Sequence, residues 1–256
     1  GIRVNWRVVA ASEIGTAHVA NGSGCEDSCL VLVDTLSTGQ PLLSMFVSDG
    51  AGSAAKGGEG AELAIEAAGD FLARKLLQGE FGLSDSLATE LVVAVRDRIY
   101  AKAAADGLKA RDFACTFLGV LSSPSGTLVF QIGDGGVVLD VGAGLEVAVI
   151  PMGGEYANMT HFATDADAVS VLATKVYLDP VLRVAVFSDG LQRLALNMAT
   201  NTPHEPFFTP FFSGMARATP EQEEQLQPLL VKFLGSAAVN ERTDDDKTLA
   251  LAVRLT

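Results

Sequence analysis

Two apolar stretches of this chain end in the same three residues, and this feature constrains the fold more than any other. The first stretch, residues 45–50, ends in Ser48-Asp49-Gly50, and the second, residues 184–190, ends in Ser188-Asp189-Gly190. Runs this rich in valine and phenylalanine predict buried core strands. Each aspartate would lie where its strand leaves the core, and each glycine permits a tight turn. Two carboxylates delivered in this way predict a shared cation site.

A third carboxylate is predicted to lie beside the first of these strand ends. Residues 29–33 and 42–48 are typical of two strands, and the turn-forming residues at 35–41 between them predict a hairpin. In an antiparallel pair the start of one strand lies beside the end of the other. We therefore expect Asp27 to be a neighbour of Asp49.

The order of the predicted elements favours separate layers of sheet and helix. Helices are predicted at 59–77, 84–105, 190–197 and 220–233, and strands at 4–10, 29–33, 42–48, 113–121, 127–132, 137–141, 146–150, 169–176, 182–187 and 248–254. Segments 12–24 and 199–213 are expected to lack regular structure, although the phenylalanines of the second are expected to pack on the core. Because the order does not alternate strand and helix, a doubly wound parallel sheet is disfavoured. We expect a single α+β domain over residues 1–256.

The charge of the chain limits its partners. The formal net charge is −13 over 256 residues, whereas a nucleic-acid partner would require a basic surface. The same charge would repel an anionic substrate unless bound cations reversed the local field. Composition therefore argues against nucleic acid and is compatible with a metal-dependent site.

Cysteine usage and hydropathy predict a cytoplasmic protein. Cys25, Cys29 and Cys115 form no CxxC pair, which makes a structural zinc site improbable. An odd number of cysteines without a signal peptide favours a reducing compartment. The apolar stretches are shorter than a membrane span, so no membrane partner is expected.

Five aspartates fall at the ends of predicted strands, and together they predict a hard-cation site. A single aspartate in such a place is usually a turn former or a cap, but clustered carboxylates repel one another unless a cation lies between them. Oxygen-only ligands select ions such as Mg²⁺ or Mn²⁺. Two such ions about 4 Å apart lower the pKa of a bridging water and neutralise a phosphate. The five are Asp27, Asp49, Asp134, Asp189 and Asp245.

These motifs resemble, in order and spacing, the metal-dependent protein phosphatases of the protein phosphatase 2C type. The motifs are Glu26-Asp27, Ser48-Asp49-Gly50, Gly133-Asp134-Gly135, Ser188-Asp189-Gly190 and Asp245-Asp246-Lys247-Thr248, and the resemblance extends from about residue 8 to residue 254. It implies a four-layer αββα sandwich, two mainly antiparallel β-sheets flanked by helices, with two Mn²⁺ or Mg²⁺ ions between the sheets. It also implies hydrolysis of phosphoserine or phosphothreonine in a protein substrate by direct attack of metal-bound water.

The resemblance implies a role for each matching residue. Asp49 would bridge both ions, and Asp189 and Asp245 would hold the first, which makes these three the expected catalytic residues. The Gly50 carbonyl would hold the second ion, together with water-mediated contacts from Glu26 or Asp27. Asp134 matches a family position that can contact a third ion.

Several positions depart from the family pattern. Gly22 stands where many members have a phosphate-binding arginine, and His18 and Lys56 are the nearest candidates to replace it. His18 and the segment 154–160 resemble a bacterial subgroup, and in that segment Asn158 and Thr160 could line the site. Arg193 stands four residues after Asp189, where many members have an acid for the third ion, so we expect two ions. Arg193 could instead bind an anion, although a solvated helix residue is the simpler interpretation.

Two other functions compete with a phosphatase. The missing arginine favours an inactive relative that binds phosphoproteins without hydrolysing them. A two-metal nuclease is the other possibility, and the negative charge argues against it. The complete set of acids favours the enzyme, because clustered carboxylates destabilise a fold that has no cation to bind.

Overall fold

The structure, a computed structural model, describes residues 5–149 and 160–255. Its strands are β1 (Asn5–Glu13), β2 (Asp27–Thr35), β3 (Pro41–Asp49), β4 (Phe117–Ser123), β5 (Gly126–Ile132), β6 (Gly136–Asp140), β7 (Glu146–Val147), β8 (Ala173–Tyr177), β9 (Arg183–Phe187), β10 (Leu196–Asn197), β11 (Thr202–Pro203) and β12 (Lys247–Leu255). Its α-helices are α1 (Thr16–Asn21), α2 (Gly57–Gln78), α3 (Asp85–Ala105), α4 (Ala168–Val171), α5 (Gln192–Ala195), α6 (Glu205–Arg217), α7 (Glu223–Leu234) and α8 (Ala237–Asn240).

The long strands form two antiparallel sheets. One has the strand order β1-β12-β9-β6-β7, and the other has the order β2-β3-β4-β5-β8. The predicted hairpin is confirmed, because β2 pairs with β3 and Asp27 lies opposite Asp49 in the register. The first sheet thus leads to Asp189, two residues after the end of β9, and the second carries Asp49 at the end of β3.

The alternation of side chains along each strand divides the core into layers. In β3, Leu43, Met45 and Val47 pack between the two sheets, whereas Leu42 and Phe46 pack against α2 and α3. In β9, Val184 and Val186 face the space between the sheets. Successive residues of a strand point to opposite faces, so a strand apolar on both faces is buried between two layers.

Helices cover the outer face of each sheet. α2 and α3 pack on the β2–β8 sheet through residues such as Leu72 and Leu91, and α6 and α7 pack on the β1–β7 sheet through Phe208, Phe212 and Leu230. The four layers are therefore helix, sheet, sheet, helix, as expected. The phenylalanines of segment 199–213 do pack on the core, since Phe208 and Phe212 are buried.

Four helices were not predicted from the sequence, namely the single turns α4 and α8 and the longer helices α1 and α6. α1 lies in a segment expected to be a loop, and it has no buried residues, so it has no apolar period to reveal it. α6 lies in a segment without an assigned period, and Pro210 lies inside it. A proline within a helix removes one backbone hydrogen bond, yet Phe208, Phe212 and Met215 bury enough apolar surface to hold this helix on the sheet.

Two predicted strands were misplaced. The strand predicted at 113–121 begins only at Phe117, because residues 110–113 form a 3₁₀ turn and Cys115 makes an isolated bridge to Gly50. The strand predicted at 169–176 is preceded by α4 and begins at Ala173. Asn158 lies outside the described residues. Within the described ranges, no helix is long and apolar enough to cross a membrane.

Candidate metal centre

The two Ser-Asp-Gly ends meet at one cavity between the sheets. The cavity has a volume of about 260 Å³, and both Asp49 and Asp189 line it. Five further residues predicted for the site also line it, namely His18, Glu26, Gly50, Asp134 and Asp245. Asp27 lies beside Asp49 in the strand register rather than on the cavity wall.

Close backbone packing fixes both aspartates. A Cβ atom added at Gly50 would lie 2.3 Å from the carbonyl carbon of Gly57, and one added at Gly190 would lie 2.0 Å from the carbonyl oxygen of Asp246. The Asp49 N–H donates to the Thr116 hydroxyl at 3.0 Å, and the Thr116 N–H donates to the Asp49 carbonyl at 2.9 Å. Both strand ends therefore require glycine because another backbone occupies the space of a side chain.

Repulsion and burial raise the pKa values of the clustered carboxyls. Burial is the largest cause for Asp49, and the charges of Asp27, Asp189 and Asp245 raise its pKa further, far above its usual range. Burial raises the pKa of Asp27 to about 6, although hydrogen bonds from Thr248 and Ser188 lower it. Burial and the charge of Asp189 raise the pKa of Asp245 to about 7. Without a counter-charge the cluster therefore favours bound protons.

Two buried carboxylate oxygens have no partner among the described residues, and they identify where a cation fits. The Oδ2 atom of Asp27 accepts hydrogen bonds from Ser188 Oγ at 2.8 Å and Thr248 Oγ1 at 2.7 Å. Its Oδ1 atom and the Oδ1 atom of Asp189 are buried with no hydrogen bond. Buried polar atoms are normally paired, so these two oxygens fit a cation that accepts oxygen ligands.

The acids surround the cavity instead of converging on one point. Within residues 5–149 and 160–255, no group of three or more His, Cys, Asp or Glu side chains forms a compact metal cluster. Asp49, Asp189 and Asp245 nevertheless line the same cavity. Carboxylate oxygens placed around one cavity in this way fit a divalent cation that takes oxygen ligands.

Asp246 is a structural centre of the site that the sequence did not reveal as such. Its side chain is buried, and it accepts hydrogen bonds from the N–H groups of Gly15 at 2.7 Å and Glu26 at 2.8 Å. Its Oδ2 atom also lies 2.9 Å from Nδ1 of His18. Asp246 thereby ties α1 and the start of β2 to the segment that carries Asp245, and the sequence identifies it only as part of the motif Asp245-Asp246-Lys247-Thr248.

The same hydrogen bond sets the state of His18. Burial lowers the pKa of His18, but the hydrogen bond and charge of Asp246, with smaller contributions from Glu26 and Asp245, outweigh burial and raise it. The Nε2 atom of His18 lies 3.9 Å from Oε2 of Glu26. His18 therefore favours its protonated, positively charged form, and it lies on the wall of an acidic cavity.

The remaining candidates are divided between the cavity and the surface. Asp134 lines the cavity and accepts a hydrogen bond from the Thr160 hydroxyl at 2.9 Å, so Thr160 does line the site. Lys56 is exposed at the start of α2 and does not line this cavity. Ser53, Thr116 and Phe162 line it without having been predicted, because no local pattern distinguishes them from other loop residues.

The fold and the acid-lined cavity define the class of a metal-dependent phosphatase, and the comparisons with known proteins agree. A family model described as Protein phosphatase 2C matches residues 14–235. Serine/threonine-protein phosphatase 3 from Escherichia coli (strain K12) is 57% identical over 250 residues, which are 98% of this chain and 99% of that protein. The chain therefore belongs to the protein phosphatase 2C family.

Solved structures show the same fold at low identity. The serine/threonine phosphatase Stp1 from Staphylococcus aureus has a TM-score of 0.61 and 14% identity, and the alignment covers 98% of this chain and 96% of that chain. The catalytic domain of the serine threonine protein phosphatase PstP, solved in complex with 2 manganese ions, has a TM-score of 0.58 and 18% identity over 99% and 100% of the two chains.

Family, fold and enzyme class are thus as expected from the sequence. The chain is a serine/threonine protein phosphatase with the αββα fold, and dependence on a divalent metal follows from its family. The comparisons give no support to an inactive phosphoprotein-binding relative.

Proposed function

We propose that this chain removes phosphate from phosphoserine and phosphothreonine in proteins, and that two Mn²⁺ or Mg²⁺ ions at the cavity between the sheets support the reaction. The observation that carries the proposal is the pair of buried, unpartnered oxygens, Asp27 Oδ1 and Asp189 Oδ1, in a cluster whose carboxyls repel one another. No third ion is proposed, because Arg193 stands where a further acid would be expected.

The proposed ligands come from both sheets. Asp49 would bridge the ions, Asp189 and Asp245 would hold the first, and the Gly50 carbonyl would hold the second. Glu26 and Asp27 would contribute to the second ion through water, and Asp134 lines the same cavity. When bound, two such ions lower the pKa of a water molecule and neutralise phosphate oxygens. The ligands are rigid because β3 and β9 are buried on both faces.

His18 is the proposed contact to the substrate phosphate. It lines the cavity, and Asp246 holds its Nδ1 atom, so that Nε2, which lies 3.9 Å from Oε2 of Glu26 and makes no hydrogen bond among the described residues, would donate to a phosphate oxygen. We prefer His18 to Lys56, the other candidate, because Lys56 lies outside this cavity. A cationic imidazole beside the ions would favour a phosphate dianion in a chain whose formal charge is −13.

The proposed setting is a reducing one. Cys25, Cys29 and Cys115 are free thiols in the described structure. Free thiols persist in the cytoplasm, where reductants keep them unpaired, and we propose that the enzyme acts there on phosphorylated proteins in signalling.

The test is metal-dependent turnover of p-nitrophenyl phosphate and of matched phosphoserine, phosphothreonine and phosphotyrosine peptides. We expect turnover with Mn²⁺ or Mg²⁺, loss with a chelator, and little hydrolysis of the phosphotyrosine peptide. Asp245→Asn should lose activity, whereas Asp97→Asn, at an exposed position on α3, should not. Full turnover in the presence of the chelator would overturn the proposal.

A second pair of variants separates the phosphate-contact candidates. His18→Gln is expected to raise KM for a phosphopeptide about tenfold, since a charge-assisted hydrogen bond is lost. Lys56→Gln should leave KM unchanged. A larger effect at Lys56 than at His18 would reverse the assignment.

A further inference from the structure

Two arginines stand beside the candidate metal centre without an ion-pair partner. Arg193 and Arg242 are exposed, and among the described residues neither forms an ion pair with a carboxylate. A groove of about 660 Å³ leads from Asp189 and Asp245 to both arginines. The metal cavity and this groove share those two aspartates, so a chain bound at the centre can continue into the groove.

The sequence places each arginine close to one proposed metal ligand. Arg193 follows Asp189 by four residues in the helical turn that begins at Asp189, a separation of about 6 Å along the axis. Arg242 precedes Asp245 by three residues, just after α8. Both guanidinium groups therefore belong to the segments that position the site.

A second groove begins at the same two arginines and continues away from the centre. It has a volume of about 420 Å³, and Leu194, Leu196, Pro206 and Phe207 give it an apolar floor. His204 is its remaining titratable side chain, and no carboxylate lines it among the described residues. The first groove, by contrast, carries the exposed acids Glu241 and Asp244 as well as the arginines.

The two arginines thus lie where the first groove, which contains carboxylates, meets the second groove, which has none among the described residues. In a chain with a net charge of −13, a groove lined by two arginines and no carboxylate is locally selective for anions. The planar guanidinium group pairs with a carboxylate or a phosphate through two parallel hydrogen bonds. The apolar floor beside it accommodates a hydrophobic side chain.

We propose that Arg193 and Arg242 form a substrate-specificity site, which binds an acidic or second phosphorylated residue flanking the phosphoresidue that is hydrolysed. The inference rests on the proposed function, because it assigns these arginines to the substrate chain of that same reaction. The ligand is an anionic side chain, carboxylate or phosphate, next to an apolar residue that packs on Leu194 and Phe207.

The test uses three phosphopeptides of equal length with the same central phosphothreonine. One has neutral flanks, one has glutamates on the flank, and one has a non-hydrolysable phosphonate in place of the glutamates. The measured quantity is kcat/KM for each peptide divided by that for the neutral peptide, with Arg193→Gln, Arg242→Gln and the double variant. Arg217→Gln is the control, since Arg217 is exposed at the end of α6 and lines neither groove.

We expect each single variant to lower the ratio about fivefold, and the double variant about twentyfold, as loss of charge-assisted hydrogen bonds predicts. Arg217→Gln should leave it unchanged. A larger loss with the phosphonate peptide than with the glutamate peptide identifies a second phosphate as the preferred anion, and the reverse identifies a carboxylate.

Two results would overturn the site while leaving the proposed function intact. One is turnover of all peptides with a ratio that the variants do not change, and the other is an equal loss of turnover for the neutral and anionic peptides. Absence of metal-dependent turnover on every substrate would instead reject the proposed function itself. The two failures are therefore distinguishable in one experiment.

Discussion

The two Ser-Asp-Gly ends have the same residues but are completed by different parts of the molecule. Ser48 Oγ donates to the Thr116 carbonyl at 2.5 Å, a contact within the β2–β8 sheet. Ser188 Oγ donates to Asp27 at 2.8 Å, a contact from the β1–β7 sheet to the other sheet. The first serine therefore secures a strand end locally, and the second joins the two sheets at the candidate metal centre.

Their neighbours differ in the same way. Asp49 has Asp27 directly opposite in the register, so two carboxylates meet at this end. The Ser188 oxygen accepts the Thr248 N–H at 3.1 Å, which holds the segment that carries Asp245. An identical tripeptide thus places two carboxylates side by side at one end and supports the contact between the sheets at the other, because packing partners and not the motif decide the role.

The largest expected difference between the two Ser-Asp-Gly ends is the loss of activity when the charge of each aspartate is removed. Asp49→Asn is expected to lower kcat/KM about 1,000-fold and Asp189→Asn about 100-fold, because Asp49 would contact both ions. Asp49→Asn should also raise the melting temperature in chelator, since it removes repulsion. Phosphatase kinetics with Mn²⁺ and thermal unfolding measure the two effects. A greater loss of activity for Asp189→Asn would reverse the comparison.

Substitution of the two glycines should lower the free energy of unfolding by different amounts at the two ends. Gly190→Ala and Gly50→Ala are each expected to lower the free energy of unfolding by about 1–3 kcal/mol, since the new Cβ would overlap another backbone. Gly190→Ala should cost more, because its contact is the shorter. Gly214→Ala, in α6 with nothing within 4 Å, should stabilise by about 0.5–1 kcal/mol. Urea unfolding measures all three, and equal stability of the three variants would contradict the packing argument.

Substitution of the two serines should affect the Mn²⁺ affinity differently at the two ends. Ser188→Ala is expected to weaken Mn²⁺ binding about tenfold, because it removes a hydrogen bond that orients Asp27. Ser48→Ala should lower the free energy of unfolding by about 1 kcal/mol without changing Mn²⁺ affinity, since its partner is a backbone carbonyl. Calorimetric titration with Mn²⁺ and urea unfolding test this pair. Equal affinities in both variants would remove the proposed difference.

The smallest expected effect is a pH dependence that both ends share. The folded pKa values of Asp27 and Asp245 are about 6 and about 7, above the value of 3.8 expected when unfolded. The folded state therefore binds more protons between pH 4 and pH 7, so this stability is present in acid and is lost as the pH rises. In chelator, the free energy of unfolding should fall by about 1 kcal/mol from pH 6 to pH 7.

Saturating Mn²⁺ should abolish that decline, because cations replace the protons and bind only the folded cluster. Thermal unfolding across the pH range, with and without Mn²⁺, measures the difference. A metal-free protein that gains stability between pH 5 and pH 7 would contradict the account of the cluster.

The sequence by itself determined most of the long strands, the carboxylates at their ends and the register of one pair. Apolar runs that stop at Ser-Asp-Gly have a local signal, and the turn at 35–41 was enough to place Asp27 opposite Asp49. The apolar spacing from which a helix is predicted did not reveal α1 or α6. α1 buries nothing, and α6 contains Pro210, so neither helix had the regular pattern that a sequence reading requires.

Only the tertiary structure decided which strand ends face each other and what holds them there. The contacts of Ser188 and Thr248 with Asp27 join residues 161 and 221 positions apart, and Asp246 reaches Gly15 across 231 positions. A two-residue period states which face of a strand is buried, but it does not state which other strand covers that face. The packing of the two sheets determines which strand covers each buried face. It therefore gives the two identical tripeptides different positions in one site.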